Sequence, residues 1–314
     1  AENLCDPPAT AGGTDPIQAE CSDQAALFRQ MLSRSQNLAL PEGTTALIQS
    51  LISERTGMSF DNGKRDLLID KLSALVIDRG FSSFLDYYYL LKYDASARAE
   101  WLNVMNALSV QETYFWREFD QIRALVQTLV PQWLAKNAGS TLRIWSAACA
   151  TGEEPLTIAM ALNEAGLFER ASIEILASDA STKALDRATS GVYRERAFRN
   201  LPHDLRDRYF VSEGSAWRVR SDIHSRIKWS IANLIDESQV APLASSDFIF
   251  CRNVFIYFSE SAIGRVVRSF ARHIRPPGYL FVGAAESLLR LTTDFNLIEI
   301  DDAFVYMKRE RVFD

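Results

Sequence analysis

The sequence predicts an α/β protein: a doubly wound, mostly parallel sheet, preceded by an all-α segment and closed by an antiparallel hairpin. Three observations carry this. Residues 44–135 show apolar side chains only at helical spacing, whereas after Gly139 short apolar runs of strand length alternate with helical stretches. The last two apolar runs, FNLIEI and AFVYMKRE, are joined only by Asp301 and Asp302. That connection is too short for a parallel crossover, so the pair must be a hairpin.

The elements follow in order. Residues 1–43 carry Pro7, Pro8, Gly12, Gly13 and Pro16 with few large apolar groups, a composition that cannot offset its ordering entropy. A flexible extension is expected there, with one helix from Asp23 on the stripe Leu27, Phe28, Met31 and Leu32, stopping before Pro41 and Gly43. Residues 44–135 read as a helical domain. In KRDLLIDKLSALVIDRG the positions Leu68, Leu72, Leu75 and Val76 share a face, and Gly80 is placed for a helix C-cap. Trp101, Val104, Met105 and Leu108 form the next stripe, then Phe119, Ile122, Leu125, Val126 and Leu129, which Pro131 should end. Residues 136–314 read as the sheet domain. TLRIWSAA, ASIEILAS, RIKWSIA, SDFIFCRN and GYLFVGAA are the strands, and EPLTIAMALNEAG and SESAIGRVVRSFARHI are helices between them. Residues 193–224 interrupt the alternation, with YFVSEG and AWRVRSD forming a small antiparallel insertion.

Composition bounds the function. The 314 residues are 47% apolar, enough for one large core and a smaller satellite. Lys and Arg number 34 against 40 Asp and Glu, a net charge of −6, so no global positive field exists to hold nucleic acid. Every uncharged apolar run is shorter than the ~18 residues that cross a bilayer, which predicts no membrane insertion. The first twenty residues lack the basic and apolar regions of a secretory signal, so a cytoplasmic location is expected. Four cysteines and three histidines are scattered, with no CxxC, and indicate neither a metal site nor a disulfide framework. A monomer is the default expectation.

In an open α/β sheet the ligand sits at the carboxyl ends of the strands. After the first strand comes Cys149-Ala150-Thr151-Gly152-Glu153-Glu154-Pro155, with one glycine where a dinucleotide fingerprint has three. Glu153 and Glu154 would repel a phosphate and attract a cofactor bearing a sulfonium and an ammonium group. S-adenosylmethionine fits that pattern, while NAD and ATP do not. The plainer use of these carboxylates is to complement the helix dipole, worth under about 1 kcal/mol each. The second strand ends at Asp179, suited to the two hydroxyls of a ribose or, more plainly, to a helix N-cap. The third ends at Asn233-Leu234, where an amide could read an adenine edge or simply serve a turn. The fourth ends in Cys251-Arg252-Asn253-Val254-Phe255-Ile256-Tyr257, and Tyr257 could line a transfer channel or be an edge aromatic.

Residues 47 to 308 resemble the chemotaxis receptor methyltransferase family, the CheR type of protein-glutamate O-methyltransferase. The motifs that carry the resemblance are GMSFDNGKRDLLIDKL, FSSFLDYYYLL, ETYFWRE, SAACATGEEPLTIA, ASDASTKALDRATSGVY, FIFCRNVFIYF and GYLFVGAAESL, in the family's order. The resemblance implies a class I S-adenosylmethionine-dependent methyltransferase, a Rossmann-like sheet with an inserted β-subdomain behind a helical domain. It implies that S-adenosylmethionine is converted to S-adenosylhomocysteine, that the acceptors are glutamates on chemoreceptor cytoplasmic helices, and that a receptor methylesterase opposes the reaction. By motif match, Gln111, Thr113, Arg117, Ala148, Gly152, Glu154 or Glu153, Asp179, Asn233, Leu234, Arg252 and Asn253 would bind the cofactor, and Arg117 and Tyr257 would position the reacting groups.

Three departures qualify the match. Gln111 stands where the family often has Asn, and its longer amide can still donate and accept. The helix after Gly63 carries Lys64, Arg65, Lys71 and Arg79 among acidic residues, so a face for docking acidic receptor helices is weaker than usual. VSEGSAWRV is shorter than the loop with which relatives hold a receptor's C-terminal pentapeptide, which predicts tether-independent methylation. The competing readings are a methyltransferase for another acceptor and a non-catalytic cofactor-binding module. A nucleic-acid methyltransferase fits worst, given the acidic balance and the missing Asn-Pro-Pro-Tyr type motif after the fourth strand.

Overall fold

A computed structural model of the chain describes Leu38 and residues 41–60 and 63–309. The helix expected from Asp23 lies outside the described residues. The helical layer is α1 (Glu42–Thr56), α2 (Arg65–Asp78), α3 (Phe84–Tyr93) and α4 (Ala97–Leu108). Its core takes Leu68, Leu72, Val76, Val104 and Leu108 from the periodic positions read from the sequence, with Ile48, Ile52, Phe84 and Tyr87 added; Leu75 and Trp101 pack against it half-buried, and Met105 lines the cleft instead. Gly80 ends the chain path of α2 as expected. At φ +77° it lets its own N–H reach the Ile77 carbonyl and that of Phe81 reach Val76. Gly43 lies in the first turn of α1, where Pro41 supplies the carbonyl for the Thr45 N–H. The first turn needs no intrahelical partners for its own N–H groups, so a glycine is tolerated there.

Glu100 is 1% exposed inside this layer, and its carboxylate accepts from Tyr87 Oη at 2.6 Å, Arg79 Nε at 2.7 Å and Asn103 Nδ2 at 3.2 Å. Burial works against the charge, and these hydrogen bonds outweigh it, so the carboxyl is held below its usual value.

The helix α5 runs from Phe119 through Lys136 and corrects the expectation that Pro131 ends it. Residues Leu125–Leu129 form a π turn, in which the Val130 N–H bonds to the Leu125 carbonyl. The widened turn places Pro131 at the start of a new α segment, where its missing N–H leaves no partner stranded.

The main sheet contains β1 (Leu142–Ala147), β2 (Ile173–Asp179), β6 (Ile227–Ile231), β7 (Phe248–Phe250), β8 (Tyr279–Phe281), β9 (Phe295–Ile300) and β10 (Ala303–Lys308), in the order β6-β2-β1-β7-β8-β10-β9. The first five strands are parallel, and β10 and β9 return antiparallel through the Asp301-Asp302 turn. Register aligns Ala147 with Ser178, Asp179 with Ile231 and Ser146 with Phe250, so four carboxyl ends share one edge. The chain builds outward from β1 to one side and then resumes at β7 on the other, which makes the gap between β1 and β7 the switch point. Alternation along the strands splits the core into two layers. Ile144, Phe248 and Phe250 face one, with α6 (Glu153–Glu164), and Trp145, Ile249 and Leu280 face the other, with α10 (Glu237–Ala244) and α11 (Glu260–His273).

After α7 (Thr182–Ser190) comes the insertion: β3 (Val192–Tyr193), α8 (His203–Tyr209), β4 (Phe210–Glu213), β5 (Ala216–Val219) and α9 (Ser221–His224), with strand order β3-β5-β4. The sequence patterns YFVSEG and AWRVRSD are β4 and β5; the two-residue β3 was not foreseen, being too short to show alternation. Among the described residues no helix is long and apolar enough to cross a membrane.

We expect Glu100→Ala to destabilise the protein by roughly 2 kcal/mol, because it strands a buried tyrosine hydroxyl. Urea denaturation read by circular dichroism checks this; a loss within error of zero would show the cluster to be incidental.

Candidate functional site

The carboxyl ends of β1, β2, β6 and β7 open into a cleft of about 990 Å³, counted to its open mouth. Its lining includes Gln111, Thr113, Arg117, Ala148, Glu154, Asp179, Asn233, Leu234, Arg252, Asn253 and Tyr257, and the helical layer adds Thr56, Met58, Met105 and Ser109. Gly152, Glu153, Lys64, Arg65, Lys71 and Arg79 are not among the lining residues.

The loop after β1 is a chain of left-handed residues: Ala148 at φ +55°, Ala150 at +49° and Gly152 at +95°. A Cβ at Gly152 would come within 2.9 Å of the Trp229 ring and 3.0 Å of Ala188, so this position closes the loop against the sheet. The curl aims the Ala150 N–H at Asp179 Oδ2, 2.9 Å away, while Ser181 N–H holds Oδ1 at 2.8 Å. Burial raises the Asp179 carboxyl above its ordinary value, and these backbone bonds oppose the rise. Acceptor capacity remains on both oxygens for a ligand's hydroxyls.

The two glutamates of the following motif part company, because successive residues of a helix point about 100° apart. Glu154 faces the cleft, accepting from Ser146 Oγ and Arg252 Nε, both at 2.6 Å. Glu153 is 4% exposed, bonded to Thr151 Oγ1 at 2.7 Å, and burial pushes its carboxyl up to about 7.

Arg252 is the hub. Besides Glu154 it donates from Nη2 to the Arg117 carbonyl at 3.0 Å, and from Nη1 to the Glu118 carbonyl at 3.1 Å and Gln121 Oε1 at 3.3 Å. Asn253, at φ +60°, donates from Nδ2 to Glu118 Oε1 at 3.2 Å. Glu286, in the loop after β8, accepts backbone N–H groups of Asn253 and Gly283 at 2.7 Å each and of Ile256 at 3.2 Å. This 9% exposed carboxylate therefore fixes the segment that carries Asn253 and Tyr257. It was not singled out in the sequence; GYLFVGAAESL offered only a position after a strand.

The segment 111–118 crosses the mouth and is anchored by Phe115. That ring is fully buried between Tyr193, Phe198 and Phe210 of the insertion, at centroid distances of 4.9, 5.3 and 5.0 Å. Glu112 accepts from Arg196 Nη2 at 2.5 Å and Arg199 Nη2 at 2.8 Å, and Arg199 lies over the Tyr114 ring at 3.6 Å. Arg117 Nη1 donates to the Glu112 carbonyl at 2.9 Å. The helical layer closes the opposite wall. Asn233 Nδ2 donates to the Arg55 carbonyl at 2.8 Å, Met58 bridges to Phe258, and the Asn106 side chain accepts from Ser181 Oγ at 2.8 Å.

The family description "CheR methyltransferase, SAM binding domain" matches residues 111–304, and "CheR methyltransferase, all-alpha domain" matches residues 45–109. The chain belongs to the CheR methyltransferase family. Chemotaxis protein methyltransferase 2 of Vibrio cholerae is 34% identical over 81% of this chain and 89% of its own length. Chemotaxis protein methyltransferase of Salmonella typhimurium is 32% identical over 88% and 93% respectively, and chemotaxis protein methyltransferase 1 of Pseudomonas aeruginosa is 30% identical over 83% and 96%.

As a CheR methyltransferase the protein takes S-adenosylmethionine as its cofactor, and the cleft suits that molecule. Asp179 offers a buried carboxylate for ribose hydroxyls, and Leu234, Ala180 and Val254 supply apolar wall. Arg252, a buried cation of the cleft, is spent on Glu154 and on carbonyls.

Two outcomes are expected. Glu286→Gln turns an amide N–H toward one of the three backbone donors and should lower kcat by 10- to 100-fold, on the order of what a misplacement near 1 Å costs; steady-state kinetics with a fold check by circular dichroism tests it. For Glu153, the folded chain holds a proton between about 4.5 and about 7 that the unfolded chain releases, so stability falls as pH rises through that window. Glu153→Gln should remove that fall, which amounts to up to roughly 3 kcal/mol, as read from unfolding curves at several pH values.

Proposed function

We propose that this methyltransferase esterifies glutamate side chains on the cytoplasmic helices of chemoreceptors, in the cytoplasm, and that it does so without a pentapeptide tether. The observation that carries the reading is the composition of the mouth. Arg117 and Tyr257 line it, and no histidine does among the described residues. A glutamate acceptor with pKa near 4.3 is already ionised at neutral pH and needs no general base.

When bound, S-adenosylmethionine supplies an electrophilic methyl group. Arg117 has one donor committed to the Glu112 carbonyl and its Nε 3.9 Å from Glu118 Oε1, and its remaining N–H groups orient an incoming carboxylate. A tight two-point grip would also reduce the carboxylate's nucleophilicity, so one hydrogen bond is the productive arrangement. Tyr257 sits on the segment clamped by Glu286 and sets the angle of approach. Holding two groups in line can supply ~7 kcal/mol or more of the barrier reduction. The short Glu213–Ala216 connection between β4 and β5 supports tether independence.

The test is transfer of a labelled methyl group from S-adenosylmethionine to chemoreceptor cytoplasmic fragments, scored as methanol released by alkali. Label should vanish when the helix glutamates become alanine. Arg117→Ala should lower kcat at least tenfold on the scale of one lost charged hydrogen bond. Full turnover in that variant would remove Arg117 from the reaction, and no release from any receptor would move the acceptor elsewhere.

A further inference from the structure

Four guanidinium groups gather around Gln111 and Glu112 at the lip of the cleft. Arg196 and Arg199 bind the Glu112 side chain, Arg117 binds the Glu112 carbonyl, and Arg187 Nη1 donates to Gln111 Oε1 at 2.8 Å. Arg187, Arg196 and Arg199 are exposed, and Arg194, on the same stretch, is exposed as well. Glu112, Asp186 and Glu195 offset part of this charge, Glu195 being turned to Arg206, and the lip keeps a positive excess on a chain whose net charge is −6. Two of the basic residues read as a docking face near α2, Lys71 and Arg79, differ. Lys71 Nζ donates to the Ala107 carbonyl at 3.1 Å and Arg79 is bound to Glu100, so both serve the helical layer itself.

We infer that the face formed by Arg187, Arg194, Arg196 and Arg199 is the docking surface for the substrate, and that its occupant is an α-helix with acidic side chains on either side of the glutamate to be methylated. This rests on the receptor-glutamate reading above and adds where the helix lies. Charge complementarity selects the occupant: a helix rich in carboxylates is attracted to the lip, and one acceptor then meets Arg117 a residue or two away. A helix places like side chains at i, i+3 and i+4, so neighbours of the acceptor fall on the same face as the acceptor itself. The insertion thus acts as a rim that selects acidic sequence, separate from the groups that hold the methyl donor.

Arg194→Glu, which changes the charge of the face by two units, leaves the Arg187–Gln111, Arg196–Glu112 and Arg199–Glu112 contacts that steady the mouth. In the methanol-release assay this variant should raise KM for a receptor fragment about 3- to 10-fold, the scale of two exposed ion pairs. Its kcat and its affinity for S-adenosylmethionine, measured by calorimetry, should match the parent, and the KM difference should shrink between about 50 and 300 mM salt as charges are screened. An unchanged KM overturns the assignment. Should the parent methylate no receptor fragment, the receptor reading fails on its own, and the surface is then read by binding of a synthetic helical peptide bearing a row of glutamates. Weaker binding by the variant, absent when the row is glutamine, sustains the acidic-helix surface; equal binding by parent and variant overturns it.

Discussion

The guanidinium of Arg252 is the joint on which the site depends. Its side chain is only 2% exposed, and a charge so placed must be fully partnered. It reaches the end of β7, the first turn of α6 through Glu154, and the carbonyls of Arg117 and Glu118 on the crossing segment. Sheet, helix and loop therefore share a single set of hydrogen bonds. None of the three can shift without leaving a buried charge or a buried carbonyl unpaired. The deep arginine thereby fixes the main chain of Arg117, whose own guanidinium lines the cleft and holds the Glu112 carbonyl.

Backbone strain follows the same map. Six described non-glycine residues have positive φ, and five of them, Trp116, Glu118, Ala148, Ala150 and Asn253, lie in the loops that frame the cleft. Each such conformation costs on the order of 1 kcal/mol and persists only where the surroundings over-determine it. Here the determinants are visible: Asp179 on Ala150, Glu286 on Asn253, and the Phe115 anchor beside Trp116. Strain and hydrogen bonding together hold the shape of the cleft.

Much of this was legible in the sequence, and the limits are instructive. Strands buried on both faces read as continuous apolar runs, and a two-residue link can only make a hairpin, so the sheet and its antiparallel end were open to direct inference. Residues that follow a strand could be named as cleft residues, as Asp179, Asn233 and Arg252 were, because topology alone carries them to one edge. What a one-dimensional reading could not provide was direction and partnership. Glu153 and Glu154 are neighbours in sequence and opposite in surroundings. Glu286 and Arg199 act through contacts with segments far away in the chain, and no spacing announces them. Pro131 kept its ordinary meaning as a breaker, but the π turn before it absorbed the break.

The segment that closes the mouth, 111–118, is also the only covalent connection from the helical layer to the rest of the described chain. Its Phe115 is stored in the aromatic core of the insertion, and its carbonyls are held by Arg252. The connector thus belongs structurally to the methyltransferase half, consistent with the family match beginning at residue 111. Modularity in this architecture is therefore asymmetric. A recombination that exchanges the helical layer must break the chain before Gln111, whereas a break a few residues later would carry part of one protein's active site into another's.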